Sequence, residues 1–344
     1  MGYRYDVMIG TGGIGSGIFF ALDGEQTLGR EESRSGRFLD RRDYCKLHIV
    51  SHYVQALLGT GFRTIPVGKV GQDEVGARLL QEMSEAGLDI RYVEQERGRP
   101  TLFAVCFIYP DGSGGNLTAN DSACAAVDAL WVQRAEPEFA RAAGRGVALA
   151  LPEVPLSARQ AVLDLGTRYG FFRVASYSTA ELAPAVAAGD LRSVDMLALN
   201  LDEAAAAAGL DAEYREPSEI VGAAVAELSA MHPGIWLTIT AGSRGSWSWD
   251  GSSLVHVPAA RVPVVSTAGA GDAHLAGTVA GLAEGMALPQ AHELGVLTAA
   301  MSVTSPHTIN KDVTRRLLGG FAEASGIVLS EVIMDFLRVT ADAD

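Results

Sequence analysis

The chain of 344 residues is 48% apolar and 20% charged, a balance that supports a sizeable core and excludes both a disordered and a collagen-like chain. Its 27 Lys and Arg are outnumbered by 41 Asp and Glu, and a net charge of -14 would repel a phosphate backbone, so nucleic acid is not an expected partner. No apolar run reaches the roughly 18 residues of a membrane span, and YDVMIG passes straight into glycines without a cleavable signal pattern, so neither membrane nor export is expected.

In chain order, short apolar runs (YDVMIG, FRTIPVG, GVALAL, FFRVAS, MLALN and IWLTIT) alternate with segments of helical period, the mark of βαβ units around a mainly parallel sheet. Between Lys46 and Leu58, residues Leu47, Val50, Val54, Leu57 and Leu58 form one apolar helical face that Gly59 can end. From Asp73 to Ala86, Asp73 serves as N-cap, Val75, Leu79, Leu80 and Met83 make the buried stripe, and Gly87 supplies the stop. Two stretches break the rhythm: Thr11 to Asp43, rich in Gly and Arg, and Arg99 to Asn116, a strand and turn. Neither has a covering helix, so a small β lid built from insertions at about 11–45 and 95–120 is expected on a single domain spanning 1–344. After Trp236 the runs IWLTIT, SWSWD, LVHVP and VPVVS read as short strands, a β meander beside the parallel core. Cys45, Cys106 and Cys124 lie far apart without CxxC spacing, which argues against a disulfide framework and a zinc site and for a reducing cytoplasm.

Two glycine clusters compete for the chemistry. Gly10, Gly12 and Gly15 spell GxGxxG after a strand, a dinucleotide-binding pattern, but the following GIFFALDGEQTLGR has a turn at Asp23-Gly24 and no second strand with an acid at the required distance. In VPVVSTAGAGDAHLAG a strand stops at Ser266, three small residues follow, and a helix starts near Asp272 with Ala273, Ala276, Ala280 and Ala283 on one face. Free amides at a helix N-terminus bind anions, and a carboxylate there either caps the helix or takes a proton from an attacking hydroxyl beside a phosphate.

STAGAGDAHLAG resembles the C-terminal signature DTxGAGDxFxxG of the ribokinase-like, or PfkB, family of ATP-dependent small-molecule kinases. Further segments resemble that family in order: LLGTGFRTIPVGKVGQDEVGARLLQEMSEAGLDI, the lid strand and turn RPTLFAVCFIYPDGSGGNLT, the NxxE pair in LALNLDEA and the nucleotide loop in LTITAGSRGSW. The resemblance implies a three-layer α/β/α fold with a mainly parallel central sheet and a small β lid. It implies Asp272 as catalytic base, Gly269, Ala270 and Gly271 as an amide-lined anion hole, and Asn200 and Glu203 as organisers of Mg²⁺ beside ATP. Thr240, Gly242 and Gly245 would line the nucleotide, and Glu153 matches a position that contacts substrate in some members. Asn200 and Glu203 are equally a helix start with a capping pair.

The acceptor half departs from the family. Gly13 or Gly15 stands where sugar kinases carry an Asp, and CKLHIVSHY replaces the usual GG pair and Asn, so a glycine loop at Gly13 to Gly17 and the His48 and His52 face are the expected substrate contacts. With those hydroxyl partners gone, ribose is expected to be a poor acceptor. HxxxH lacks a third ligand for zinc. Ser266 replaces the Asp that helps hold a monovalent cation, and Val296 suggests an apolar adenine pocket. Arg30, Arg34, Arg37, Arg41 and Arg42, partly balanced by Glu31, Glu32, Asp40 and Asp43, read as a self-paired surface or as an anion-recognising lid. The expectation is a cytoplasmic, Mg²⁺-dependent kinase phosphorylating a hydroxyl of a sugar, sugar derivative or nucleoside, able to pair with a second copy through its lid. The alternatives are a noncatalytic sugar or nucleotide binder and a nicotinamide oxidoreductase.

Overall fold

The computed structural model describes residues 3–24, 29, 31–110, 114–212 and 215–338. Among the described residues thirteen strands are formed: β1 Val7–Thr11, β2 Gly15–Leu22, β3 Gly36–Tyr44, β4 Arg63–Gly71, β5 Tyr92–Glu96, β6 Leu102–Ile108, β7 Gly114–Thr118, β8 Gly146–Ala150, β9 Phe172–Ser176, β10 Met196–Asn200, β11 Trp236–Thr240, β12 Ser246–Trp249 and β13 Leu254–Val257. Nine build the main sheet in the order β13-β12-β11-β10-β9-β8-β1-β4-β5. It is parallel from β11 to β5, and β12 and β13 extend one edge antiparallel.

Alternation along the strands sends apolar side chains to two cores, because successive residues of a strand point to opposite faces. On β1, Met8 faces one core while Val7 and Ile9 face the other; on β8, Val147 and Leu149 oppose Ala148 and Ala150. The first face is covered by helices Lys46–Leu58, Glu74–Glu85, Ala270–Glu284, Leu288–Ser302, Arg315–Ala324 and Glu331–Leu337. The second is covered by Ala129–Gln133, Glu136–Arg141, Leu156–Arg168, Thr179–Ala188, Leu201–Ala207 and Pro217–Met231. This is the expected three-layer α/β/α arrangement. The stripe Ala273, Ala276, Ala280 and Ala283 is fully buried. A Cβ at Gly277 would lie 2.4 Å from Thr298 Oγ1, which shows how closely Ala270–Glu284 and Leu288–Ser302 approach.

A second sheet, β3-β2-β6-β7, pairs β2 with β6 in parallel and β2 with β3 and β6 with β7 antiparallel. It is built from the two stretches that break the helical rhythm.

One expectation about the elements is corrected, and two further features stand out. Residues 262–266 are not a strand: the amides of Val265 and Ser266 both donate to the Val303 carbonyl (2.8 and 3.2 Å), so this run is held by a helix C-terminus and not by the sheet. The GxGxxG cluster opens no helix, since β2 starts at Gly15. A Cβ at Gly12 would meet Leu151 Cβ at 2.8 Å and one at Gly15 the Leu102 carbonyl at 2.5 Å, so these glycines serve close strand packing. YVEQE, half-buried and acidic, forms edge strand β5, which its weak alternation did not announce. Arg30 lies outside the described residues. No helix among the described residues is long and apolar enough to cross a membrane.

Candidate active site

Two clefts open at the C-terminal ends of the parallel strands, of about 1020 and 1030 Å³, and they meet at Lys46, Val264, Thr267, Gly269 and Asp272. One lies under the small sheet. The other runs from Asn200 and Thr240 past Val296.

The junction is the start of helix Ala270–Glu284. Its N-cap is Gly269, at φ 78°, a left-handed position that favours glycine; a Cβ there would also press on the Thr308 carbonyl at 2.9 Å. The Ala270 amide is taken by the Thr267 carbonyl (3.2 Å) and the Ala273 amide by Gly269 (2.9 Å), while those of Gly271 and Asp272, in the first turn, lack an intrahelical acceptor. Of the three residues expected to supply an anion hole, Ala270 therefore has its amide already engaged. The Asp272 carboxylate is not a cap: the helix has no side-chain cap bond, and Asp272 Oδ1 instead lies 3.5 Å from Lys46 Nζ.

Lys46 opens helix Lys46–Leu58 and lines both clefts. The Asp272 carboxylate, seconded by Glu153, holds its ammonium above the usual range against the effect of burial. Its backbone amide donates to Glu153 Oε2 at 3.2 Å. Glu153 follows β8 at φ 76°, a conformation that strains a residue with a Cβ and that surrounding structure must impose. Burial pushes its carboxyl up to about 7, with Lys46 opposing and Asp272 adding to the rise.

Gly13 makes room for that carboxylate, since a Cβ at Gly13 would fall 2.0 Å from Glu153 Oε2; a Cβ at Gly17 would likewise meet Asp43 Oδ2 at 2.6 Å. Asp43, at the end of β3, is buried, raised by burial, and accepts from Cys106 Sγ at 3.3 Å. The first-strand carboxylate missing from the glycine loop is thus offset by two carboxylates arriving from β3 and the β8 end.

Gly13, Gly15 and Glu153 do not share one place: Glu153 lines the cleft under the small sheet, Gly13 and Gly15 are packed beneath it. His48 and His52 line neither cleft. Both are packed on the inner helix Lys46–Leu58, where burial pushes them down to about 3 and about 4, and His48 stacks edge-on against Tyr44 at 4.9 Å. Among the described residues no group of His, Cys, Asp and Glu is arranged to hold a metal ion by itself.

Thr240, Gly242, Gly245, Asn200 and Val296, expected on the nucleotide, all line the second cleft. Gly245 adopts φ 87°, and a Cβ there would lie 2.3 Å from the Val257 carbonyl. Asn200 and Glu203 form a reciprocal capping box: Asn200 Oδ1 accepts from the Glu203 amide and Glu203 Oε2 from the Asn200 amide, each at 2.8 Å. Glu203 Oε1 has no part in that box. Burial raises the Glu203 carboxyl, and Lys46 and Asp272 are among the charges that act on it. His274, which the sequence reading passed over, lines the same cleft; Ser246 Oγ lies 3.3 Å from its Nε2 and 2.7 Å from that of His292, and burial keeps both rings neutral.

Sequence reasoning also missed Lys46 and Asp43. Asp43 was legible as the last of 37, 39, 41 and 43 on one strand face; Lys46 carries no local signal.

The arginine-rich segment divides. Arg34 pairs with Glu32 (2.6 Å) and Arg42 with Glu82 (3.2 Å), whereas Arg37 and Arg41 line the acceptor cleft.

Fructoselysine 6-kinase of Escherichia coli (strain K12) is 26% identical to this chain over 238 residues, covering 68% of it and 80% of the relative. Among solved structures, ribokinase from Cryptococcus neoformans var. grubii serotype A in complex with ADP superposes with a TM-score of 0.75 at 20% identity, over 92% of this chain and 99% of the other. The nucleoside kinase of Burkholderia thailandensis in complex with inosine gives 0.70 at 16%, over 94% and 100%. The family model described as pfkB family carbohydrate kinase matches residues 53–315, which include the Asn200 capping box, the Thr240 loop and the Asp272 helix start: the chain belongs to the pfkB family of carbohydrate kinases.

Proposed function

We propose that Asp272 is the base of a phosphoryl transfer from ATP to a sugar hydroxyl at the junction of the two clefts. The observation that carries this reading is the junction itself: a carboxylate, an ammonium and unengaged helix-start amides sit where a donor in one cleft and an acceptor in the other can meet. The acceptor hydroxyl gives its proton to Asp272 as its oxygen attacks the γ-phosphorus, and the bond to the leaving ADP oxygen breaks. The Gly271 and Asp272 amides face the charge on the transferred group, and the Lys46 ammonium balances it. Glu153 and Asp43 receive hydrogen bonds from the acceptor's other hydroxyls. Asn200 and Glu203 fit a hydrated Mg²⁺, since their donors are oxygens and Glu203 Oε1 takes no part in the capping box; the ion would neutralise phosphate charge when bound.

The whole chain acts as one kinase domain in the cytoplasm, the small sheet closing over the acceptor. Its outer face, with Phe38 and Leu117 exposed, serves pairing with a second copy. A nucleoside is the second reading for the acceptor, favoured by Phe107 and Tyr109, which line the cleft edge to face at 5.6 Å. The test is ADP release with Mg-ATP over a panel of fructoselysine, ribose, other neutral sugars, sugar acids and nucleosides. Turnover of a sugar or sugar derivative is expected; tight ligand binding without turnover on the whole panel would overturn it in favour of a noncatalytic binder.

A further inference from the structure

The acceptor cleft is far larger than a single sugar ring needs, and its lining changes character along its length. Carboxylates from Asp43, Glu153 and Asp272 gather at the floor, while β3 presents Arg41, Leu39 and Arg37 on the same face toward the tip. Read along β2, whose Gly17 and Ala21 pair with Asp43 and Arg37, Arg37 lies about 13 Å from Asp43, with Arg41 between them. Between Gly17 and Phe19 of β2, β3 passes from Asp43 to Leu39, so its 40–42 stretch bulges out of register. The two extra residues keep the alternation of 39, 41 and 43, so Arg41 lines the cleft while Arg42 pairs outward with Glu82. Neither Arg37 nor Arg41 has an ion-pair partner among the described residues; Arg41 lies 5.9 Å over the Phe19 ring. Asp23 also lines the tip but accepts from Ser35 Oγ at 3.0 Å.

We infer that the acceptor carries an anionic group, carboxylate or phosphate, remote from its reacting hydroxyl and held by Arg41, with Arg37 reaching a longer substituent. Two guanidinium forks with no ion-pair partner among the described residues, set toward the tip and away from the Asp43, Glu153 and Asp272 carboxylates, orient such a substrate: its charged end is held by Arg41, and its hydroxyl end lies toward Asp272. The inference rests on the kinase reading above and adds the acceptor's class.

The test compares matched pairs, glucose against gluconate and glucuronate, and fructose against its 1- and 6-phosphates, so that carboxylate and phosphate arms separate. Wild type, Arg41→Ala, Arg41→Lys, Arg37→Ala and Arg42→Ala are assayed for acceptor kcat/KM, with ATP KM measured alongside. At least one anionic acceptor should exceed its neutral parent by about tenfold. That preference should collapse in Arg41→Ala, return in part in Arg41→Lys and persist in Arg42→Ala, at unchanged ATP KM. A neutral parent as good as every anionic partner, or a preference that survives both Arg41→Ala and Arg37→Ala, overturns the inference. If no pair turns over, calorimetry with a non-hydrolysable ATP analogue decides: tenfold tighter anion binding that depends on Arg41 supports it, and equal binding refutes it. Failure to bind the ATP analogue at all would instead strike the kinase reading.

Discussion

Glu153→Gln isolates what burying a carboxyl beside Lys46 does to stability. The group titrates at about 7 in the folded chain against 4.5 for an unperturbed glutamate. Below pH 4.5 it is protonated in both states and contributes nothing. As pH rises from 4.5 to 7 the unfolded chain releases its proton first, the folded chain binds more, and stability therefore falls with rising pH; above 7 the loss is complete. At about 1.36 kcal/mol per tenfold, the full loss is about 3 kcal/mol, of which about 2.5 kcal/mol accrues between pH 5 and pH 8. Glutamine keeps an oxygen for the Lys46 amide and a side chain of the same length at φ 76°, so backbone strain is unchanged. Urea denaturation of both proteins at pH 5, 6, 7 and 8 should show wild type losing about 2.5 kcal/mol more than the variant over that range, the opposing effect of Lys46 being already contained in the value of about 7. Parallel stability curves would refute the reasoning and show that Glu153 ionises as an ordinary glutamate.

Asp272→Asn should lower kcat by about 10²-fold or more with ATP KM within a few fold, read from steady-state ADP release. Gly13→Ala places a methyl on Glu153 Oε2 and should raise acceptor KM about tenfold or more while ATP KM holds, since only the acceptor cleft is disturbed. Glu203→Gln keeps the capping box but removes the charge; a higher Mg²⁺ concentration for half-maximal rate is expected, and an unchanged Mg²⁺ curve would reduce Glu203 to a cap. Exchanging K⁺ for Na⁺ should alter the rate by less than about twofold. Ser266 offers a hydroxyl that accepts from the Ala268 amide at 3.4 Å where a cation would need a carboxylate.

The alternation of β1, β8 and β10, the apolar face of Lys46–Leu58 and the Asp73 cap were legible because each depends on residues within one element: side-chain period and cap chemistry are local. So was the helix start at Gly269 to Asp272, where small residues and one acid adjoin an alanine-rich face. The tertiary structure alone decided what meets there. Lys46 and Asp272 are 226 residues apart, and Glu153 lies 107 from Lys46, so no spacing rule could join them. Packing likewise put His48 and His52 inside a helix that is buried nearly all round, turned residues 262–266 from a strand into a run tied to Val303, and chose Arg37 and Arg41 over Arg34 and Arg42 to face the acceptor. Alternation along β3 puts 37, 39, 41 and 43 on one face, but which face of β3 lies over the cleft is set by its pairing with β2 and by contacts from chain segments far away.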